Sequence, residues 1–235
     1  MVALMDFSPF DNRGYPMLTV KDGYSAWAET YDDTVLDLMD IRVAEALGGV
    51  RWSDHGEALD LACGTGRLGA WLRSKGVSAV DGVDITPAML ERAEARGVYR
   101  TLMTGEVTAV DRPDGSYSLI CQSLADEHLP QLGPLYAEAI RLAVPGGLFV
   151  LLGYHPWFLM MGMPTHFKDR SGRNLAIESH IHLFADHTAA ALRAGWRLAE
   201  LNEALVDDAW IAAKPKWAAH RGRPISFGWV WRKER

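Results

Sequence analysis

The stretch "ALDLACGTGRLGAWL", Ala58 to Leu72, reads as a strand, a glycine turn and the opening of a helix. A short apolar run is followed by Gly64, Gly66 and Gly69 in the order G-x-G-x-x-G, a spacing that bends the backbone sharply and lets a ligand lie on a helix N-terminus. Working outward, "SAVDGVD" is a second strand, followed by a helix with Thr86 as N-cap and Pro87 at its first position. Further strands are expected over Tyr99 to Met103, Tyr117 to Gln122 and Gly147 to Tyr154, the last introduced by a Pro145-Gly146-Gly147 turn, with a helix starting after Pro134. This βαβ rhythm implies a mainly parallel sheet in a Rossmann-like, doubly wound α/β fold. A helix over Asp186 to Ala194, a strand near Trp196 to Asn202 and an alternating strand, Ile225 to Trp231, complete it.

Two segments flank that core. Tyr24 to Leu47 sets Trp27, Tyr31, Val35, Leu38, Met39 and Val43 at steps of three and four residues, the pattern of an amphipathic helical segment. After Tyr154, "HPWFLMMGMPTHFKDRSGRNLAIESH" has no helical period and is rich in Met, aromatic residues, Pro and Gly, so a lid loop is expected there. The chain is thus read as one domain: residues 1–50 an N-terminal helical cap, 51–154 the cofactor-binding core, 155–185 a substrate lid, and 186–235 the C-terminal helix and strands.

Composition excludes several function classes. With 24 Lys plus Arg against 30 Asp plus Glu the formal charge is -6, so the broad basic field of a nucleic-acid binder is missing. No window approaches eighteen uninterrupted apolar residues, which leads us to expect no membrane partner and a cytoplasmic protein. Cys63 and Cys121 have neither metal-ligand spacing nor a neighbouring cysteine, and read as small buried residues.

What the glycine turn binds is argued from its acids. Asp60 precedes Gly64 by four positions, where a carboxylate would repel a pyrophosphate and suit a ligand bearing positive charge. S-adenosylmethionine carries a sulfonium and an ammonium beside its adenosine. Asp84 ends the second strand and suits ribose hydroxyls.

"LDLACGTGRLG", "VDGVDITPAMLERAEARG", "PDGSYSLI" and "AVPGGLFVLL" together resemble the class I S-adenosylmethionine-dependent methyltransferases, in particular the ubiquinone and menaquinone type that acts on small molecules. The resemblance runs in order from about residue 24 to 205 and implies a seven-stranded sheet whose last strand is antiparallel, here "ISFGWVW". Carried over by position, it implies that Asp60, Ala62, Gly64 and Gly66 surround the methionine moiety and that Asp84 holds the ribose. Ile85 and Met89 would lie against the adenine, with Glu106 and Val107 at its edge. Ser123 would face the methyl end, and Trp27 and Tyr31 would close over the cofactor. After the fourth strand stands "QSLADEHLP", not the N/D-P-P-Y of DNA amino methylases. The expected partner is a small, aromatic or apolar acceptor, with O, N or C as the methylated atom and the protein a monomer or homodimer; a member that binds the cofactor without turnover is the alternative.

His128, in "DEHLP", and His155 follow strand ends, where doubly wound folds bind ligands, so each is a candidate general base or orienting residue. His155, His166, His180, His182 and His187 also suggest a metal site, but the simpler reading of "ESHIHLFADHTAAALRAGW" is a strand entering a helix capped by Asp186, with no metal. Met160, Met161 and Met163 suit either a pocket wall or packing between lid and core.

Overall fold

The computed structural model describes residues 5–234. Seven strands, β1 (Glu57–Leu61), β2 (Ala79–Asp84), β3 (Thr101–Thr104), β4 (Tyr117–Ser123), β5 (Ala143–Tyr154), β6 (Trp196–Leu205) and β7 (Pro224–Lys233), form one sheet in the order β6-β7-β5-β4-β1-β2-β3. β7 runs antiparallel to both its neighbours and the pairs from β5 to β3 are parallel. The helices of eight residues or more are α1 (Val20–Trp27), α2 (Arg67–Ser74), α3 (Pro87–Arg96), α4 (Gly133–Leu142) and α5 (Phe184–Ala194).

The central strands read as continuous apolar runs because both faces of the sheet are covered. Leu59, Leu61, Ile120, Phe149 and Leu151 pack with residues of α4 and α5 on one face. Ala58, Leu119, Cys121 and Val150 pack with Leu68, Leu72, Ile41 and Val43 on the other. Period two thus divides each strand between two cores, and every parallel strand delivers its carboxyl end to the same edge.

Four expectations are corrected. Tyr24 to Leu47 is not one helix but the end of α1 followed by Tyr31–Thr34 and Ile41–Glu45, because Val35 is extended and Asp40 leaves the helical region, while Asp37 and Asp40 both pair with Arg67. Residues 155–185 are no open loop: they hold a helix, Pro156–Met160, and a hairpin of His166–Lys168 with Asn174–Ile177. Asp186 is not the cap of α5; Leu183 is, and the Asp186 carboxylate reaches back to accept from the Leu183 amide at 2.9 Å. The Pro145-Gly146-Gly147 turn lies inside β5, where it shifts the register against β4.

The N-terminal segment and residues 155–185 build one layer together. Met17–Leu18 pairs parallel with Asn174–Ile177, Met5–Asp6 pairs with His180–Ile181, and the Trp27 ring stacks on Phe167 at 5.2 Å. The three methionines belong to a separate apolar cluster with Phe7, Phe158, Trp210 and Trp217, so they pack and do not wall the cleft described next. No described helix is long and apolar enough to cross a membrane.

Candidate functional site

The three glycines of the opening motif serve two purposes. Gly64, with φ of 52°, faces open space: a methyl group there would meet nothing within 4 Å. Gly69 is needed for packing, since a Cβ on it would stand 2.3 Å from the Tyr99 hydroxyl oxygen, and Gly66 is likewise closed in by Tyr99 and Arg96. The Tyr99 hydroxyl then donates to Asp60 Oδ2 at 2.7 Å. Asp60 is buried beneath the turn, its other oxygen has no partner, and it is not in the cleft. Its expected meeting with the positive charge of a ligand is therefore corrected: its neighbour is the Tyr99 phenol. Burial pushes its carboxyl up to about 7, against the Tyr99 hydrogen bond and helped by the charge of Asp84.

Of the two strand acids, Asp84, at the end of β2, faces the cleft. It accepts from the amides of Gly64 and Thr86, both at 2.8 Å, and so ties the glycine turn to the start of α3. Burial raises its pKa, while these two amides oppose the shift. The cleft, about 220 Å³, opens where β1, β2 and β4 end and is covered by α1 and Tyr31. Ala62, Gly64, Asp84, Ile85, Met89, Glu106, Val107, Ser123, Tyr31 and His128, all singled out from the sequence, line it together.

Gly66, Trp27 and His155 do not line it. Trp27 lies behind Tyr31 and donates its indole N–H to Thr34. His155 caps the Pro156–Met160 helix: Nδ1 accepts from the Trp157 amide, which leaves Nε2 to donate to Glu203 at 2.9 Å. Conversely, the sequence reading passed over Gln122 and Tyr24. Gln122 is 1% exposed, lines the cleft, and neither atom of its amide has a partner. Tyr24 begins the aromatic period of the N-terminal segment, the one sign that pointed to it.

His128 joins three layers of the molecule. Its Nδ1 lies 2.6 Å from the Glu178 carbonyl, which can only accept, so Nδ1 carries the proton and Nε2 the lone pair. The Tyr24 hydroxyl donates to that Nε2 at 2.8 Å. Burial lowers the imidazole to about 4, so it is neutral near pH 7. Glu127, 3.4 Å from Nε2, is also buried, and desolvation beside Asp126 pushes its carboxyl up.

Acids of the N-terminal segment hold the rim. Arg67, the first residue of α2, pairs with Asp37 and with the buried Asp40, which also accepts from Ser123 at 2.9 Å. Asp32 takes both the Thr65 hydroxyl of the glycine turn and Arg96 of α3. The histidines after β5 have separate partners: His166 the Pro164 carbonyl, His182 the Leu129 carbonyl, and His187 the Tyr136 hydroxyl with Asp126 3.4 Å away. Among the described residues no three His, Cys, Asp or Glu side chains are grouped to hold a metal ion.

Residues 58–147, from β1 to the bend of β5, match the family described as a methyltransferase domain. The sheet order, with its antiparallel last strand, is that of the Rossmann-like fold found in class I methyltransferases. The chain is 35% identical over 151 residues to human methyltransferase-like protein 27, covering 59% of this chain and 60% of that protein. It is 31% identical over 132 residues to malonyl-[acyl-carrier protein] O-methyltransferase of Serratia marcescens, covering 56% and 51% respectively. The chain thus spans about half to three fifths of the length of these curated relatives. In fold it is similar to the crystal structure of an S-adenosylmethionine dependent methyltransferase from Mesorhizobium loti, with a TM-score of 0.61, 24% identity and coverage of 90% of this chain and 99% of that one.

Proposed function

We propose that the protein is an S-adenosylmethionine-dependent methyltransferase acting on a small acceptor. The observation that carries the reading is the cleft at the strand ends, where an uncovered Gly64 stands beside a fixed Asp84. The residues present fit the cofactor. Gly64 allows close approach of the methionine part, and Asp84 keeps lone pairs free for ribose hydroxyls. Ile85, Met89 and Val107 supply an apolar slot for the adenine, with Glu106 at its rim. The unpartnered amide of Gln122 offers one acceptor and two donors inside the same cleft, a buried polar group that a ligand would satisfy.

When bound, the cofactor supplies a methyl group already activated on a sulfonium. The protein's own task is alignment and exclusion of water. Tyr24, Tyr31 and Val20 from the N-terminal segment, with Leu129 and Pro130 after β4, enclose the acceptor end in mostly apolar surface. Residues 155–185 act as its cover by holding α1 in place. His128 is the one imidazole among the cleft residues, and its Nε2 lone pair can accept a proton from the acceptor.

Calorimetric titration of the protein with S-adenosylmethionine, S-adenosylhomocysteine and NADH tests the reading. Micromolar binding of the first two, lost in Asp84→Ala, is expected. Binding of NADH alone would overturn it.

A further inference from the structure

Resting on the methyltransferase reading, we infer that the cleft selects an acceptor by its charge: it takes a neutral hydroxyl, bound to His128 Nε2 in the place now held by the Tyr24 hydroxyl, and rejects carboxylates. The first observation is the lining. Among the described residues that line the cleft, the only formally charged side chains are Asp84 and Glu106, and none is Lys or Arg. Arg67, at the start of α2, is already taken by Asp37 and Asp40. The cofactor's carboxylate brings its own ammonium, but an acceptor carboxylate at the apolar end formed by Val20, Tyr24, Tyr31, Leu129 and Pro130 would be desolvated with no cation to receive it, and burying an unpaired charge is strongly unfavourable.

The second observation is the hydrogen-bonding polarity of His128. Because the Glu178 carbonyl holds Nδ1–H at 2.6 Å, Nε2 presents a lone pair and accepts only. An ionised carboxylate also only accepts, so it finds no donor in Nε2. A hydroxyl donates. The structure already seats one there: the Tyr24 phenol, 2.8 Å from Nε2, with its ring edge-on to the imidazole at 5.2 Å between centroids. Tyr24 belongs to α1, the element that covers the cleft, so its hydroxyl can leave with a side-chain rotation when another hydroxyl arrives. An ammonium group fits the charge of the lining, but it must shed a proton before it has a lone pair to attack with. Burial makes His128 too weak a base to take that proton in advance.

A neutral hydroxyl needs no such earlier step. As its oxygen takes the methyl group, the O–H proton passes to Nε2 and the O–H electron pair stays on oxygen, while the carbon–sulfur pair stays with sulfur. The oxygen becomes strongly acidic as it attacks, so a weak buried base is enough.

The test uses three probes of one shape, p-cresol, p-toluate and 4-methylbenzylammonium, titrated by NMR into the full chain saturated with S-adenosylhomocysteine. The expected result is cresol binding at least tenfold tighter than either charged probe. In His128→Phe, which keeps a ring of similar size but has no lone pair, the preference should fall to twofold or less while affinity for S-adenosylhomocysteine stays within twofold. Equal binding of the three probes, preference for either ion, or binding of none of them overturns the inference and leaves the methyltransferase reading standing. Failure of S-adenosylhomocysteine itself to bind removes both. The wild-type comparison decides even if the variant does not fold.

Discussion

Asp60→Asn should flatten the dependence of stability on pH. In the folded chain the Asp60 carboxyl is pushed up to about 7 from an ordinary value of 3.8. The folded protein therefore holds a proton on this group at pH values where the unfolded chain has released it. Stability contributed by the raised pKa is full below 3.8 and is lost as pH rises toward 7. With about 1.4 kcal/mol per pH unit of difference, the loss between pH 5 and pH 7 is about 2 kcal/mol. Asparagine keeps the shape and still accepts from Tyr99, but it cannot ionise. Urea unfolding at pH 5, 6 and 7 would measure the difference, and the variant should gain on the wild type by about 2 kcal/mol across that range. Because the carboxylate lies under the turn, affinity for S-adenosylhomocysteine should change by less than threefold. Parallel stability curves would refute the assignment of Asp60 as a buried, late-ionising acid, and a hundredfold loss of affinity would put it back in the cleft.

Three further substitutions probe the surroundings. Gly69→Ala would set a methyl group 2.3 Å from the Tyr99 hydroxyl oxygen, and should cost about 1–3 kcal/mol, read as a melting point lower by several degrees in calorimetry. Arg67→Ala leaves the buried Asp40 carboxylate without its cation and should destabilise by about 3 kcal/mol in urea. His155→Ala removes a helix cap outside the cleft; about 1 kcal/mol of stability should go, with cofactor affinity held within twofold by calorimetry.

Much of the site was legible because backbone periodicity carried it. A glycine after a short apolar strand, and an acid ending the next strand, stand at positions that local geometry dictates, so Gly64 and Asp84 could be placed without a fold in hand, while Ile85 and Met89 were implied by the family resemblance. Asp60 was misread for a physical reason. Sequence position says that a carboxylate lies near the turn, but its side of the sheet and its partner depend on Tyr99, which stands 39 positions along the chain. The same limit hid Gln122, whose significance is that nothing satisfies it once it is buried.

By itself the sequence determined the order of strands and helices along the chain and the edge of the sheet at which a ligand would sit, since each follows from hydrophobic period and from turn residues acting within a few positions; the reversed last strand was implied by the family resemblance alone. Only the tertiary structure decided which side chains meet there. Residues 155–185 have little regular pattern of their own and pair with the N-terminal segment, Met17–Leu18 with Asn174–Ile177 and Trp27 with Phe167. His128 acquires its tautomer and its place from Glu178, 50 positions on, and from Tyr24, 104 positions back. Such contacts are set by packing across layers, which no local spacing encodes.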